Sequence, residues 1–99
     1  MQFEKNEDGT VLTLTLDKKL SAATAEQLDK ELEEKLIGVK DFTIDMAKLA
    51  YVSSAGLRVL FKAQKQISQH GKMKIINAVP EVLRIFETTG FNQILNISK

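Results

Sequence analysis

The pair Ser53-Ser54, in the stretch "YVSSAGLRVL" (residues 51–60), is where this chain could do chemistry. Two hydroxyls ahead of a helical pattern allow three uses: a helix cap, a phosphate acceptor or a nucleophile. A helix N-terminus presents unpaired N–H groups and a partial positive charge, so it tolerates an anion well. One serine suffices as a cap. A phosphate on the other would add about −1.5 to −2 charges and three acceptor oxygens. A nucleophile needs a base within hydrogen-bond reach. The single histidine is His70. Along an unbroken helix rising about 1.5 Å per residue it stands about 24 Å from Ser54, so the two cannot meet within one chain. His70, beside Gly71, reads instead as a residue favourable to the dipole at a helix C-terminus. Asp45 closes a strand-like run, as a metal-assisted phosphoacceptor would, but no acidic pair at a matching strand end accompanies it. It reads as the organiser of a turn into "AKLAYV". There is no glycine-rich phosphate loop. There is also no cysteine, hence neither a disulfide framework nor a cysteine-based zinc site. The expectation is a protein with no catalytic residues, no metal and no cofactor.

Composition narrows the class. The 99 residues suffice for one domain with one core. An apolar content of 43% is normal for a globular protein. No apolar run approaches the length needed to span a membrane. Met1 leads into the charged "QFEKNEDG", which is unlike a signal peptide, so the cytoplasm is the expected compartment. The net charge is +1 with acids and bases interspersed. A nucleic-acid binder would show a strong basic excess, so no nucleic-acid partner and no direct membrane insertion are expected.

The elements that must position the serines follow from periodicity. "QFEK" and "VLTLTL" flank "NEDGT", and Asp8-Gly9 between strand-like runs predicts a hairpin. Leu12, Leu14 and Leu16 share one face of the second run, Thr13 and Thr15 the other. "SAATAEQLDKELEEKL" is helical, with Ala25, Leu28, Leu32 and Leu36 on one stripe, Ser21 as its N-cap and Gly38 after it. Its "EQLDKELEEK" carries alternating charge and reads as a solvated face. "DFTIDM" alternates as a strand. The helix after the serines ends at His70-Gly71, and "KMKIINA" is a buried strand. Pro80 opens a helix carrying Val82, Leu83 and Phe86, which Gly90 stops. "QILNI" is the expected last strand. The resulting order is β-β-α-β-α-β-α-β in one domain over residues 1–99, a small α/β fold with a mixed sheet and helices packed on it.

At about 100° per residue, Val59, Leu60, Ala63 and Ile67 cluster on one side of the helix after the serines, with Gly56 among them. Arg58, Lys62, Lys65 and Gln69 lie opposite. Leu57 and Phe61 fall between, on the side to which Ser54 projects. They either widen the core stripe or form an apolar surface patch around a serine, which would mark a partner surface. Gly56 allows either close approach of a partner or tight packing of the helix on the sheet. Of the two serines, Ser53 is the expected cap and Ser54 the expected phosphoacceptor, with Ser53 its rival.

"DFTIDMAKLAYVSSAGLRVLFKAQKQISQHG" resembles the signature of the STAS domain family, the anti-sigma factor antagonists. "LSAATAEQL" matches the start of that family's first helix, and "INAVPEVLRIFETTGFNQIL" its closing helix and strand, so the resemblance covers essentially the whole chain. It implies a STAS-like fold and a non-enzymatic phosphoswitch. The unphosphorylated protein would bind an anti-sigma factor that is also a serine protein kinase. Phosphorylation would release it, and a PP2C-type phosphatase would restore it. Aligned on Gly56, the family's phosphoacceptor falls on Ser54. The implied partner surface comprises Ser21, Ser53, Ser54, Ala55, Gly56, Leu57, Arg58 and Phe61. Three positions depart from the family pattern. Ser53 and Ser21 stand where many members carry Asp, which makes the partner surface less acidic. Ala55 stands where many carry Ser or Thr. The alternative within the same resemblance is a non-phosphorylated assembly subunit of a membrane transport or other signalling complex.

Overall fold

The structure, a computed structural model, describes residues 1–98. Strands β1 (Gln2–Lys5) and β2 (Val11–Leu20) form the expected antiparallel hairpin. Its turn is held by Asp8, whose Oδ1 accepts from the Thr10 hydroxyl (2.7 Å), the Thr10 N–H (3.2 Å) and Asn6 Nδ2 (2.7 Å). The Thr10 bonds hold the Asp8 carboxyl below the usual carboxylate range. Gly9 follows at φ +75°, a conformation that costs glycine little.

Helix α1 (Ala22–Lys35) then crosses to β3 (Asp41–Val52), and α2 (Ser54–Ile67) crosses to β4 (Lys72–Ile76). The sheet order is β1-β2-β3-β4, with β2–β3 and β3–β4 parallel. This is the mixed sheet expected of helices inserted between strands. Leu12, Leu14, Phe42, Ile44, Met73 and Ile75 are buried on one sheet face with Ala25, Leu28 and Leu32 of α1 and Leu60, Ala63 and Ile67 of α2. Val82 and Phe86 of α3 (Pro80–Thr89) join the same core, whereas Leu83 is half-buried. No residue of the other face is buried among Thr13, Thr15, Thr43, Lys72 and Lys74.

Three expectations need correction. "AKLAYV" is no turn: it continues β3 to Val52, while β2 runs on to Leu20 beside it. The pairing absorbs register shifts between Thr15 and Asp17 and between Lys18 and Lys19. Met46, Leu49 and Val52 are therefore buried three residues apart, a spacing that does not read as a strand. Asp45 organises the shift, accepting from the Ala47 N–H at 3.0 Å and from Asn77 Nδ2 at 3.3 Å. Next, α2 ends at Ile67, and His70 sits in the turn beyond it, its N–H donating to the Ile67 carbonyl at 3.1 Å. Lastly, "QILNI" is not a full strand. After Gly90, left-handed at φ +79°, the chain forms a 3-10 turn over Phe91–Gln93. Among the described residues of this segment, only Ile97 bridges to the sheet, parallel to Ile75. Leu95 is buried while Ile94 is 45% exposed, so this segment seals the core edge with isolated side chains and builds no ladder.

Gly71 fixes where β4 starts. A Cβ at this position would overlap the Lys40 backbone, and the next amide, of Lys72, donates to the Lys40 carbonyl at 2.7 Å. Backbone cannot move aside as a flexible side chain can. Gly71→Ala is therefore expected to cost about 3 kcal/mol, at the upper end for overpacking. Urea denaturation of the two proteins measures this, and an unchanged midpoint would refute it.

Candidate functional site

The parallel strands β2 and β3 end side by side, Leu20 paired with Val52, and the Ser53 N–H donates to the Leu20 carbonyl at 2.9 Å. Each strand is followed at once by a capping serine. Two helix N-termini thus emerge together from the carboxyl ends of adjacent parallel strands, the place where open α/β sheets gather binding groups.

Each serine has a distinct role. Ser21 and Thr24 cap α1 reciprocally: the Ser21 N–H donates to Thr24 Oγ1 (2.7 Å) and the Thr24 N–H to Ser21 Oγ (3.3 Å). This is a capping box with threonine in place of the usual glutamate. Ser53 is extended (φ −79°, ψ 169°) and half-buried, and its hydroxyl accepts from the Gly56 N–H at 3.0 Å. It is the expected cap. Ser54 is the first helical residue and is exposed, and its hydroxyl has no hydrogen-bond partner among the described residues. The adjacent hydroxyls therefore divide the work, one engaged with the backbone and one free in solvent. Ser53→Ala should lower stability by about 1 kcal/mol, the usual effect of losing a cap. Thermal melting checks this, and an effect below about 0.3 kcal/mol would mean that the hydroxyl does not cap.

The other expected surface residues separate into two groups. Gly56 is buried, and a Cβ there would lie 2.9 Å from Leu20 Cδ2 and Cγ and 3.1 Å from the Leu20 carbonyl oxygen. Its smallness serves close packing of α2 on β2 and not the approach of a partner. Leu57 is 6% exposed and belongs to the core, so it is withdrawn from the partner surface. Arg58 is exposed, and Ala55 is half-buried. Phe61 is also half-buried. Its ring meets Phe91 edge-to-face at 6.1 Å and 63°, with the Lys65 ammonium 5.6 Å from its centre. The buried stripe of α2 is thus turned toward Leu57 and away from Val59, which is only half-buried. The Phe91 segment covers one flank of α2, whereas α1 leaves the other partly open.

That opening is a groove of about 300 Å³ between α1 and α2, lined by Ala22, Ala25, Ala55 and Val59, with Arg58 on its lip beside Ser54. Lys62 spans it to Asp29 of α1 at 3.0 Å, and the Asp29 carboxylate raises the Lys62 pKa. The face expected to be wholly solvated thus supplies one tie between helices. Four of its other charges pair along the helix, Lys30 with Glu26 and Lys35 with Glu31. The groove itself was not anticipated from the sequence. Its one signal there is the alanines at 22 and 25 together with Ala55, small side chains on two helices.

The site therefore consists of a free serine at a helix N-terminus, a capped neighbour, and a shallow groove beside it. The STAS domain family matches this chain over residues 2–99. The chain is a STAS domain. It is 36% identical over 81 residues to a protein of Bordetella bronchiseptica named "Putative anti-sigma factor antagonist BtrV", a match covering 80% of this chain and 70% of that one. Among solved structures, the Thermotoga maritima protein TM1081, described as a putative anti-sigma factor antagonist, superposes with a TM-score of 0.87 at 20% identity, covering 99% of this chain and 85% of that one. The anti-sigma factor antagonist SpoIIAA in its unphosphorylated form gives 0.83 at 16% identity, covering 99% and 87% respectively. At such identities these two likenesses establish the fold: the order β-β-α-β-α-β-α seen here is that of SpoIIAA-like STAS domains. No helix of this STAS domain, among the described residues, is long and apolar enough to cross a membrane.

Proposed function

We propose that this STAS domain is an anti-sigma factor antagonist switched by phosphorylation of Ser54. The observation that carries the proposal is the division between the two serines: Ser53 is occupied as the cap, while Ser54 is exposed with its hydroxyl free. The 36% identity to BtrV supports the same reading. The unphosphorylated domain presents Ser54, Ala55, Arg58 and the exposed edge of Phe61 to an anti-sigma factor that is also a serine protein kinase. The kinase transfers a phosphoryl group to the Ser54 oxygen, and a PP2C-type phosphatase removes it. The modified domain stays folded, because the phosphate lies over the first-turn amides and within a helical turn of Arg58. It no longer binds, because a dianion set into the protein contact would have to lose most of its surrounding water.

The test is treatment of the full chain with the serine kinase of its own cell, followed by fragmentation mass spectrometry that resolves the two sites. Phosphate on Ser54 is the expected result. Predominant phosphate on Ser53 would overturn the assignment, since it would require the kinase to take the capping hydroxyl.

A further inference from the structure

The last residues of β2 break the strand pattern in a directed way. Asp17, Lys18 and Lys19 are exposed in succession, whereas a regular strand would turn every second side chain inward. The local cause is Lys18 at φ +59°, a left-handed conformation unfavourable to a residue with a Cβ, opposite a β3 that carries one extra residue at each of the two register shifts. Strain of this kind persists only where the surroundings enforce it, and bulges often re-aim side chains beside functional sites. Here it turns Lys18 into solvent beside Lys19, which already faces outward in the regular alternation of Leu16 and Leu20. On the neighbouring strand, Lys48 pairs with Asp17 and Tyr51 with Lys19, and both are exposed, Tyr51 by 48%.

This bulged arm leads directly into the capping serines Ser21 and Ser53. Lys18, Lys19 and Lys48 thus stand at the same end of the domain as Ser54, with Arg58 one turn into α2. None of these four cations forms an ion pair among the described residues, whereas Lys30, Lys35 and Lys62 all do. The arm's own carboxylate, Asp17, is held by the Met1 amine at 3.3 Å. Two helix N-termini add positive potential to this end. The caps themselves are serines and bring no carboxylate to offset it. With a net charge of only +1, the chain is not basic throughout, and these four cations stand at the end of the domain that carries the switch serine.

We infer that the bulged arm formed by Asp17–Leu20 and Lys48–Val52 is a second part of the partner interface, and that it docks an acidic surface of the anti-sigma factor. The inference rests on the function proposed above. Opposite potentials speed encounter and fix orientation. A phosphate on Ser54 would then act twice, by its desolvation within the contact and by cancelling about two of the charges that attract the partner.

The test uses the full chain and, as probe, the purified kinase found to modify Ser54. Wild-type affinity should fall about tenfold or more between 50 and 300 mM NaCl, mostly through the association rate. Lys18→Glu/Lys19→Glu/Lys48→Glu should lose about 30-fold or more at low salt. Lys72→Glu/Lys74→Glu, at the far end of the sheet, should change affinity less than about threefold, although it changes the charge as much as Lys19→Glu/Lys48→Glu does. If the triple variant does not fold, Lys19→Glu/Lys48→Glu replaces it and leaves the strained residue alone. Salt-insensitive binding, or arm variants that bind like wild type, would overturn the inference while leaving the switch intact. Tighter binding of wild type to phosphatidylserine vesicles or a DNA duplex than to the kinase would reassign the arm to that polyanion and overturn it as well. A kinase that phosphorylates Ser54 but never forms a measurable complex with wild type would remove the functional reading itself, and this inference with it.

Discussion

Ser54→Asp is expected to lower affinity for the anti-sigma factor by about 100-fold or more, equivalent to about 2.7 kcal/mol. It should do so without unfolding the domain. The carboxylate would stand at the first position of α2, next to a helix N-terminus that favours negative charge, so the melting temperature should stay within about 2 °C of wild type. In the complex the same carboxylate would be taken from water with no counterpart prepared for it, and that desolvation accounts for the loss. Ser54→Ala should behave oppositely, binding about as well as wild type and resisting the kinase. Titration calorimetry of the three proteins against the purified anti-sigma factor measures the effect. Binding by Ser54→Asp that equals wild type would rule out Ser54 as the switch.

The second large effect separates two neighbours on α2. Leu60 is completely buried, and Leu60→Glu would put a carboxylate into the core with no cation among its buried neighbours. The expected cost exceeds about 4 kcal/mol, a large part of the roughly 5–15 kcal/mol that holds a domain of this size. The variant should be largely unfolded or melt more than about 20 °C lower. Phe61→Glu should instead leave a folded protein. It loses the edge-to-face contact with Phe91, worth about 1 kcal/mol, together with part of the area buried there. The new carboxylate remains at the surface, four residues before Lys65. A fall of about 5–10 °C is expected. Its partner affinity should also drop, because Phe61 borders the face that carries Ser54. Circular dichroism melts decide between the two roles: equal, large losses would make Phe61 a core residue and take it out of the interface.

Much of this domain was legible in local sequence, and the reasons are local. Asp8-Gly9 between alternating runs dictated the hairpin, because the turn is closed by bonds within five residues. Ser21 and Ser53 announced two helices, and Pro80 and Gly90 bounded a third, because caps and fixed φ angles act within one turn. Capping chemistry made Ser53 the expected cap, as the structure has it, whereas the choice of Ser54 as phosphoacceptor rests on the family resemblance aligned on Gly56. Other features depended on contacts between distant segments. The strands run on to Leu20 and Val52 because bulges between β2 and β3 carry two extra residues, and a two-residue period cannot register a bulge. Leu57 lies inside and Val59 half outside because the Phe91 segment covers one flank of α2 while α1 stands off the other. A helical repeat defines an apolar stripe only to within a residue or so, and the neighbouring elements choose its centre. For the same reason "QILNI", with alternation enough for a strand, yields a single bridge: β4 meets it only at Ile75. The charged arm beside Ser54 is likewise tertiary in origin. Lys18, Lys19 and Lys48 are unremarkable surface lysines in the sequence; the pairing of β2 with β3 sets Lys48 across from Asp17 and so near Lys18 and Lys19, and the left-handed Lys18 turns outward where strand alternation would turn it in.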